Sequence, residues 1–470
     1  MLFNSYEFIF IFLPLTFFLY FYLNSKKLTI ASNILLVFSS LFFYSWWNIN
    51  YLPIILSSIF FNYFLAKHLN SSSNKAYLIF GILMNLLLLG YFKYTDFMID
   101  NLNYWILKEN LPNLNLALPL AISFFTFQQI AYLSDSFSNK TKESNFLNYA
   151  LFVTFFPQLI AGPIVHHKEM MPQFRKLKNK LIDYRNIATG LFIFSIGLFK
   201  KVVIADTFAI WANHGFDVAE TLSLVEAWAT SLSYTFQLYF DFSGYADMAI
   251  GLALLFNIKL PINFNSPYKS TSLIEFWERW HITLSTFVSL YIFKPILKSF
   301  THYSFNKGLI SIFISMLVIG LWHGASWIFV FFGAIHGIGI VINHVWKKKI
   351  KIPIPYYLGW FLTFNLVSIS MIFFRAKEWE DIVKILSSMI GTNSIGDIQT
   401  LRSFAMVDEL QFFYLIVAFF LAFIGFFFKN SMSITKETMK KKRAYIYMVL
   451  LLWISILHLN RANEFLYFNF

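Results

Sequence analysis

The sequence contains no cysteine among its 470 residues, which excludes disulfides, thiolate metal sites and a cysteine nucleophile. It is also short of charge: 13% of residues are charged against 58% hydrophobic, too little polar surface to cover a soluble globule of this length. Acidic residues are the scarcer kind, 24 against 37 lysines and arginines. The resulting net charge of +13 does not point to nucleic acid. The basic residues sit in short clusters between apolar runs, the pattern of cytoplasmic loops.

What is present is hydrophobic length. Apolar stretches long enough to cross a bilayer core, ~20 residues each, begin near Glu7, Leu28, Ile49, Ala76, Leu114, Phe146, Ile187, Leu222, Tyr234, Leu309, Tyr356, Gln411 and Ala444. They predict an all-α, polytopic membrane protein of about eleven transmembrane helices plus re-entrant helices, organised as one membrane domain over residues 1–470. The first run lacks a basic leader and a small-residue cleavage site, so it reads as a retained span. Three basic clusters set orientation: Lys168, Arg175, Lys176, Lys178, Lys180 and Arg185; Lys347, Lys348, Lys349 and Lys351; Lys436, Lys440, Lys441, Lys442 and Arg443. Each belongs on the cytoplasmic side. That places the loop from Ala376 to Leu410 outside and carries the C-terminus outward.

Parity counted from the N-terminus meets an obstacle. If Lys26, Lys27, Lys67, Lys75, Lys140 and Lys142 are all inside, the segment from Phe146 to Val165 starts and finishes on one face. It contains Pro157, Gln158, Gly162 and Pro163, which break helix and leave backbone groups in need of partners. A re-entrant element around a cavity is predicted, because irregular backbone at membrane depth needs protein or water about it. Residues 114–345 are the expected core.

In the apolar run from Ile310 to Ile342 stands Leu321-Trp322-His323-Gly324-Ala325-Ser326-Trp327. An ionisable side chain at membrane depth is costly unless it is paired or faces water, which makes His323 a functional candidate. A second histidine lies in Glu275-Phe276-Trp277-Glu278-Arg279-Trp280-His281-Ile282-Thr283-Leu284-Ser285, downstream of Asn263-Phe264-Asn265-Ser266-Pro267-Tyr268. On one helix Trp277, Trp280, His281 and Leu284 share a face, with Glu275, Glu278 and Arg279 within ion-pairing reach. The expectation is an amphipathic helix whose histidine points into the protein. Upstream, the Tyr239 to Asp247 segment places Asp241 and Asp247 among apolar residues, read as shaping a cavity.

These blocks, together with Phe155-Phe156-Pro157-Gln158-Leu159-Ile160-Ala161-Gly162-Pro163-Ile164 and Phe373-Phe374-Arg375-Ala376, resemble the membrane-bound O-acyltransferase family. The resemblance is strongest to its bacterial alginate and peptidoglycan O-acetyltransferase branch and covers nearly the whole chain in order. It implies a fold built around a central tunnel, His323 as the membrane-embedded catalytic histidine and His281 as its polar companion. It further implies Asp241, Trp322, Asn265 and Trp280 on the substrate path. The chain departs from many relatives at Thr286-Phe287-Val288-Ser289-Leu290-Tyr291, where they carry Arg-Asp-Tyr. The terminal Glu464-Phe465-Leu466-Tyr467-Phe468-Asn469-Phe470, residues 464–470, resembles the aromatic tail of acyl-export systems in the family, which would make Tyr467 an acyl carrier. Its other reading is an interfacial aromatic anchor.

The chemistry agrees with the residue types. Acetyl transfer from a thioester to a hydroxyl needs a base of near-neutral pKa, and an imidazole supplies one without a metal. For His281 a helix-orienting hydrogen bond and a direct catalytic role both stand. The resemblance implies no resident cofactor, with acetyl-CoA as the donor substrate. It also implies the bacterial inner membrane as the location, membrane lipids as surroundings and a cell-envelope polysaccharide as final acceptor. The chain has neither a Gly-x-Ser-x-Gly elbow nor a large soluble region, so a periplasmic serine-esterase-type partner is expected. D-alanyl transfer to teichoic acid is the alternative within the family. A transporter or flippase of a lipid-linked sugar is the alternative outside it, and would call for repeat symmetry between two halves, which the sequence does not show. Gly337-Ile338-Gly339 lacks the third glycine of a dinucleotide loop and reads as close helix packing. His336 and His344 have no acidic or cysteine partner at metal-ligand spacing, so no metal is expected.

Overall fold

A computed structural model describes residues 1–72, 74–106, 111–404, 408–425, 430–439, 443–459 and 466. Among these the chain forms helices and connecting loops, with no strand. Among the described residues seven helices are long and apolar enough to cross a membrane: Phe8–Ser25, Ile49–Ser72, Lys75–Lys93, Tyr184–Val218, Phe305–His323, Trp327–Ile350 and Tyr356–Arg375. Shorter apolar helices at Thr29–Ser45, Gln411–Phe423 and Ala444–Leu457 accompany them. The protein is thus an all-α, multi-pass membrane protein. Lys440, Lys441, Lys442 and Tyr467 lie outside the described residues.

Several boundaries differ from the sequence expectation, each for a local reason. The two runs near Leu222 and Tyr234 are one helix of 32 residues, Leu224–Leu255, since no proline interrupts them. The run near Leu114 turns helical only at Ile122, after Pro119 and a left-handed Ala121 at φ 61°. The stretch from Ile310 to Ile342 is a hairpin that reverses at Gly324-Ala325-Ser326, between Phe305–His323 and Trp327–Val345.

By contact the chain divides into two compact units, Met1–Phe194 with Tyr245–Ile262, and Ser195–Gly244 with Asn263–Phe470. In the first, the segment expected to be re-entrant is broken as its prolines and glycine dictate. Phe146–Thr154 ends at a non-helical Phe155, and a four-residue helical turn Phe156–Leu159 follows. Nine helical residues rise only ~14 Å, too little to span. The backbone groups released by the break find side-chain partners: Gln128 and Gln158 donate to the Phe152 carbonyl at 3.0 and 2.7 Å, and Phe156 N–H donates to Ser40 Oγ at 3.1 Å. Buried Phe3, Phe8, Phe43 and Phe156 stack around it. Glu143 fixes the preceding loop by pairing with His167 at 3.3 Å and with Arg175. Burial works against its ionisation, but hydrogen bonds from His167 and Asn145 N–H and the Arg175 charge hold the carboxyl down to about 2, so it is an anion at neutral pH.

In the second unit the hairpin depends on two glycines. A Cβ on Gly333 would stand 2.4 Å from the Met316 carbonyl oxygen, and one on Gly320 2.2 Å from that of Phe329. This is the small-residue contact that lets helix backbones approach in a membrane. Gly333→Ala is therefore expected to cost about 1–3 kcal/mol by overpacking, read as a lower melting temperature in detergent.

Elsewhere in this unit a polar cap joins distant stretches. Leu224 and Val225 N–H donate to the Ser394 and Ile395 carbonyls at 2.8 and 3.1 Å, Lys384 Nζ to the Ala219 carbonyl at 2.9 Å, and Arg375 and Lys377 pair with Asp217. Residues 217–225 and 375–395 therefore share a face. One long helix, Tyr356–Arg375, separates the second of these stretches from the basic cluster at Lys347 to Lys351, so that cluster points to the opposite face. A reporter inserted after Lys349 is expected on the cytoplasmic side, and one within Asn393 to Asp397 on the other. Equal accessibility of the two insertions would reverse this reading.

Candidate active site

The Asn263 to Ser285 region does not form the single helix that the spacing suggested. Leu273–Arg279 ends at an extended Trp280, His281 sits at φ 44° and ψ 54°, and a new helix runs Ile282–Val288. The cause is a competing backbone pairing: Asn265 N–H donates to the Arg279 carbonyl at 2.9 Å and Ile282 N–H to that of Asn263 at 3.0 Å. The expected ion pair on the first helix does form, Arg279 to Glu275 at 2.8 Å. A non-glycine residue with positive φ is uncommon and costs of order 1 kcal/mol or more. Here it swings a fully buried imidazole out of helical register.

The break also fixes the ring's protonation pattern. Asn263 Oδ1 receives Thr283 N–H at 3.2 Å and Thr283 Oγ1 at 2.9 Å, and stands 3.1 Å from His281 Nδ1. A backbone N–H can only donate, so the asparagine atom is its carbonyl oxygen and Nδ1 carries the proton. In the neutral ring the lone pair then belongs to Nε2, the arrangement a proton acceptor needs. Phe242 meets the ring edge-on at 4.7 Å, and Phe264, itself 5.1 Å from Trp280, holds its other side.

His323 closes the Phe305–His323 helix and is 3% exposed. Trp322, Phe374 and Phe332 surround its ring at 4.9, 4.9 and 6.0 Å, all near edge-on, so aromatic packing fixes the imidazole plane. A chain of ring contacts, Phe332 to His336 to Phe276 to Trp280 to Phe264, runs from His323 towards His281. His336, set aside as a metal ligand, is a strut within it. Trp277 Nε1 donates to its Nδ1 at 3.2 Å, so Nε2 carries the proton and donates to Ser370 Oγ at 2.9 Å.

Between the same helices lies a cavity of about 640 Å³ lined by Trp277, Glu278, Ile282, Ser285, Thr286, Ser289, Met316 and Ile319, among others. Ile282 adjoins His281, and Ile319 is one helical turn before His323. The volume suits a small organic ligand. Thr286 and Ser289 come from the stretch where the sequence departs from the family pattern.

Of the remaining candidates, Trp280 belongs to the His281 aromatic box. Asn265 instead accepts from Asn430 Nδ2 at 2.6 Å. Asp241 is 2.8 Å from Lys201 Nζ. Asp247 lies in the first unit. Three contributors escaped the sequence reading. Asn263 was quoted only as part of a block, and nothing local marks it over Asn265. Ser370 carries no signal beyond its helical context. Lys201 could have been found, as a lysine inside a long apolar run.

Comparison with known proteins gives four findings. The sequence profile of the membrane-bound O-acyltransferase family matches residues 17–374. A peptidoglycan O-acetyltransferase of Helicobacter pylori is 49% identical over 433 residues, covering 84% of this chain and 81% of that protein. A probable alginate O-acetylase of Pseudomonas aeruginosa is 36% identical over 434 residues, with 89% and 81% covered. A teichoic acid D-alanyltransferase of Streptococcus thermophilus is more distant, at 29% over 287 residues and 54% of this chain.

Proposed function

Since the chain belongs to the membrane-bound O-acyltransferase family, we propose that it takes acetyl groups from acetyl-CoA on the cytoplasmic side of the bacterial inner membrane. It passes them outward for O-acetylation of a cell-envelope polysaccharide, with peptidoglycan favoured over an alginate-like polymer. The observation that carries this reading is the cavity whose wall includes Ile282, next to His281 in sequence, and Ile319, one helical turn before His323, joined to the 49% identity with a peptidoglycan O-acetyltransferase.

The cavity holds the donor's thioester arm. His323 takes the proton of the incoming hydroxyl as its oxygen attacks the thioester carbon. The tetrahedral intermediate then loses the thiolate, which recovers the proton from the imidazolium, leaving an ester and free CoA thiol. His281, presenting Nε2 from its Asn263 clamp, orients the reacting groups, and Trp322 with Trp280 excludes water. The first acceptor is the Tyr467 hydroxyl, a weak nucleophile at its ordinary pKa of about 10 that needs such a base. The acetyl group leaves on Tyr467 for a periplasmic serine-esterase-type partner, which places it on a sugar hydroxyl.

The parity of the polar cap supports this direction, because it sets the Lys347 to Lys351 cluster and the Asn393 to Asp397 loop on opposite faces. Deleting the gene should remove O-acetyl groups from the peptidoglycan and leave D-alanine esters unchanged. Unaltered acetylation with loss of D-alanine esters would move the protein to the teichoic acid branch.

A further inference from the structure

In the second unit two carboxylates share one lysine. Lys201 Nζ is 2.9 Å from Asp206 Oδ1 and 2.8 Å from Asp241 Oδ1, and all three side chains are no more than 5% exposed. Lys201 lies in a π-helical stretch, Lys200–Ala205, a rare geometry that recurs at functional positions. Asp241 is halfway along the Leu224–Leu255 helix. The two helices meet closely enough here that a Cβ on Gly244 would stand 2.8 Å from the Gly197 carbonyl oxygen.

An ion pair that merely pins two helices would account for these three residues. It does not account for a fourth contact: Leu466 N–H donates to Asp241 Oδ2 at 3.1 Å. Leu466 follows Asp241 by 225 positions and precedes Tyr467 by one. Its main chain is held at the middle of a helix of about 48 Å, far from either helix end.

From this geometry we propose that the Lys201–Asp206–Asp241 cluster is the receptor for the C-terminal segment, with Asp241 as a positioning residue for Tyr467. Lys201 holds Oδ1 of Asp241 and so turns Oδ2 towards the tail, while Asp206 fixes Lys201. The receptor reads a main-chain N–H, so it sets the path of the backbone rather than selecting a side chain. The proposal rests on the reading of Tyr467 as the acceptor of the acetyl group, yet docking is measurable without it.

The chain has no cysteine, so Leu466→Cys introduces its sole thiol and retains the N–H. A maleimide should label that thiol at least tenfold faster when Asp241→Ala is added, with both proteins in detergent. Equal rates in two folded proteins overturn the proposal. If the double variant does not fold, Leu466→Pro decides, since proline removes the donor and its further constraint on φ is local to the chain terminus. It should lower kcat at least tenfold with the donor KM and the melting temperature unchanged, and wild-type kcat overturns the proposal. Wild-type transfer by Tyr467→Phe, with the Leu466→Cys labelling contrast intact, would remove the carrier and leave the receptor standing.

Discussion

His323→Ala is expected to lower acetyl transfer by about 10²–10⁴-fold, the usual contribution of a positioned general base, while the protein remains inserted and folded. The imidazole is buried among Trp322, Phe332 and Phe374, so its removal leaves a small cavity in an aromatic wall. Such a gap costs a few kcal/mol at most, spread over a helical hairpin held by Gly320 and Gly333. His323→Gln keeps more of the volume and should be equally inactive, which separates the lost base from the lost packing. The readout is envelope O-acetyl content at matched expression, with monodispersity in detergent as the folding control. His281→Ala should lose less. Part of its effect is conformational, because alanine tolerates the left-handed backbone poorly, and His281→Asn, which tolerates it better, should recover the folding and not the activity. A loss equal to that of His323→Ala, shared by the Asn variant, would give His281 a direct role.

Tyr467→Phe is the second large effect. Phenylalanine retains the ring and the interfacial affinity of tyrosine and removes only the hydroxyl. If that hydroxyl receives the acetyl group, transfer to the polymer should stop altogether, with expression and melting temperature unchanged. An anchor role predicts wild-type transfer instead. The Leu466 N–H on Asp241 bears on this directly. A carrier must fold back into the protein rather than trail from it, and the residue before Tyr467 is held at mid-helix.

Much of the architecture was legible because membrane insertion acts on composition and length alone. The hydrophobic runs at Ile49, Tyr356 and Ala444 became helices near their expected starts, and Pro157 with Gly162 announced the break after Thr154. What composition does not encode is pairing between remote segments. The single helix expected through His281 is interrupted because residues 263–265 compete for its backbone, an interaction across some twenty positions that no helical periodicity reveals. For the same reason Asn265 attracted notice while Asn263 holds the ring. Asp241 was visible as a costly intramembrane charge, but its partners Lys201 and Leu466 are separated from it by 40 and 225 positions, and only the fold brings them together.

The central claim, that His323 drives acetyl transfer from a thioester, can be measured on the purified protein alone. Each transfer releases one CoA thiol, and a chain without cysteine adds no thiol of its own to a colorimetric assay. Mixed with acetyl-CoA in the absence of a partner, wild type should release about one thiol per chain in a rapid phase, as Tyr467 is acetylated once and cannot unload. Its His323→Ala variant should release none on that timescale. Thiol release by His323→Ala at the wild-type rate would contradict the account.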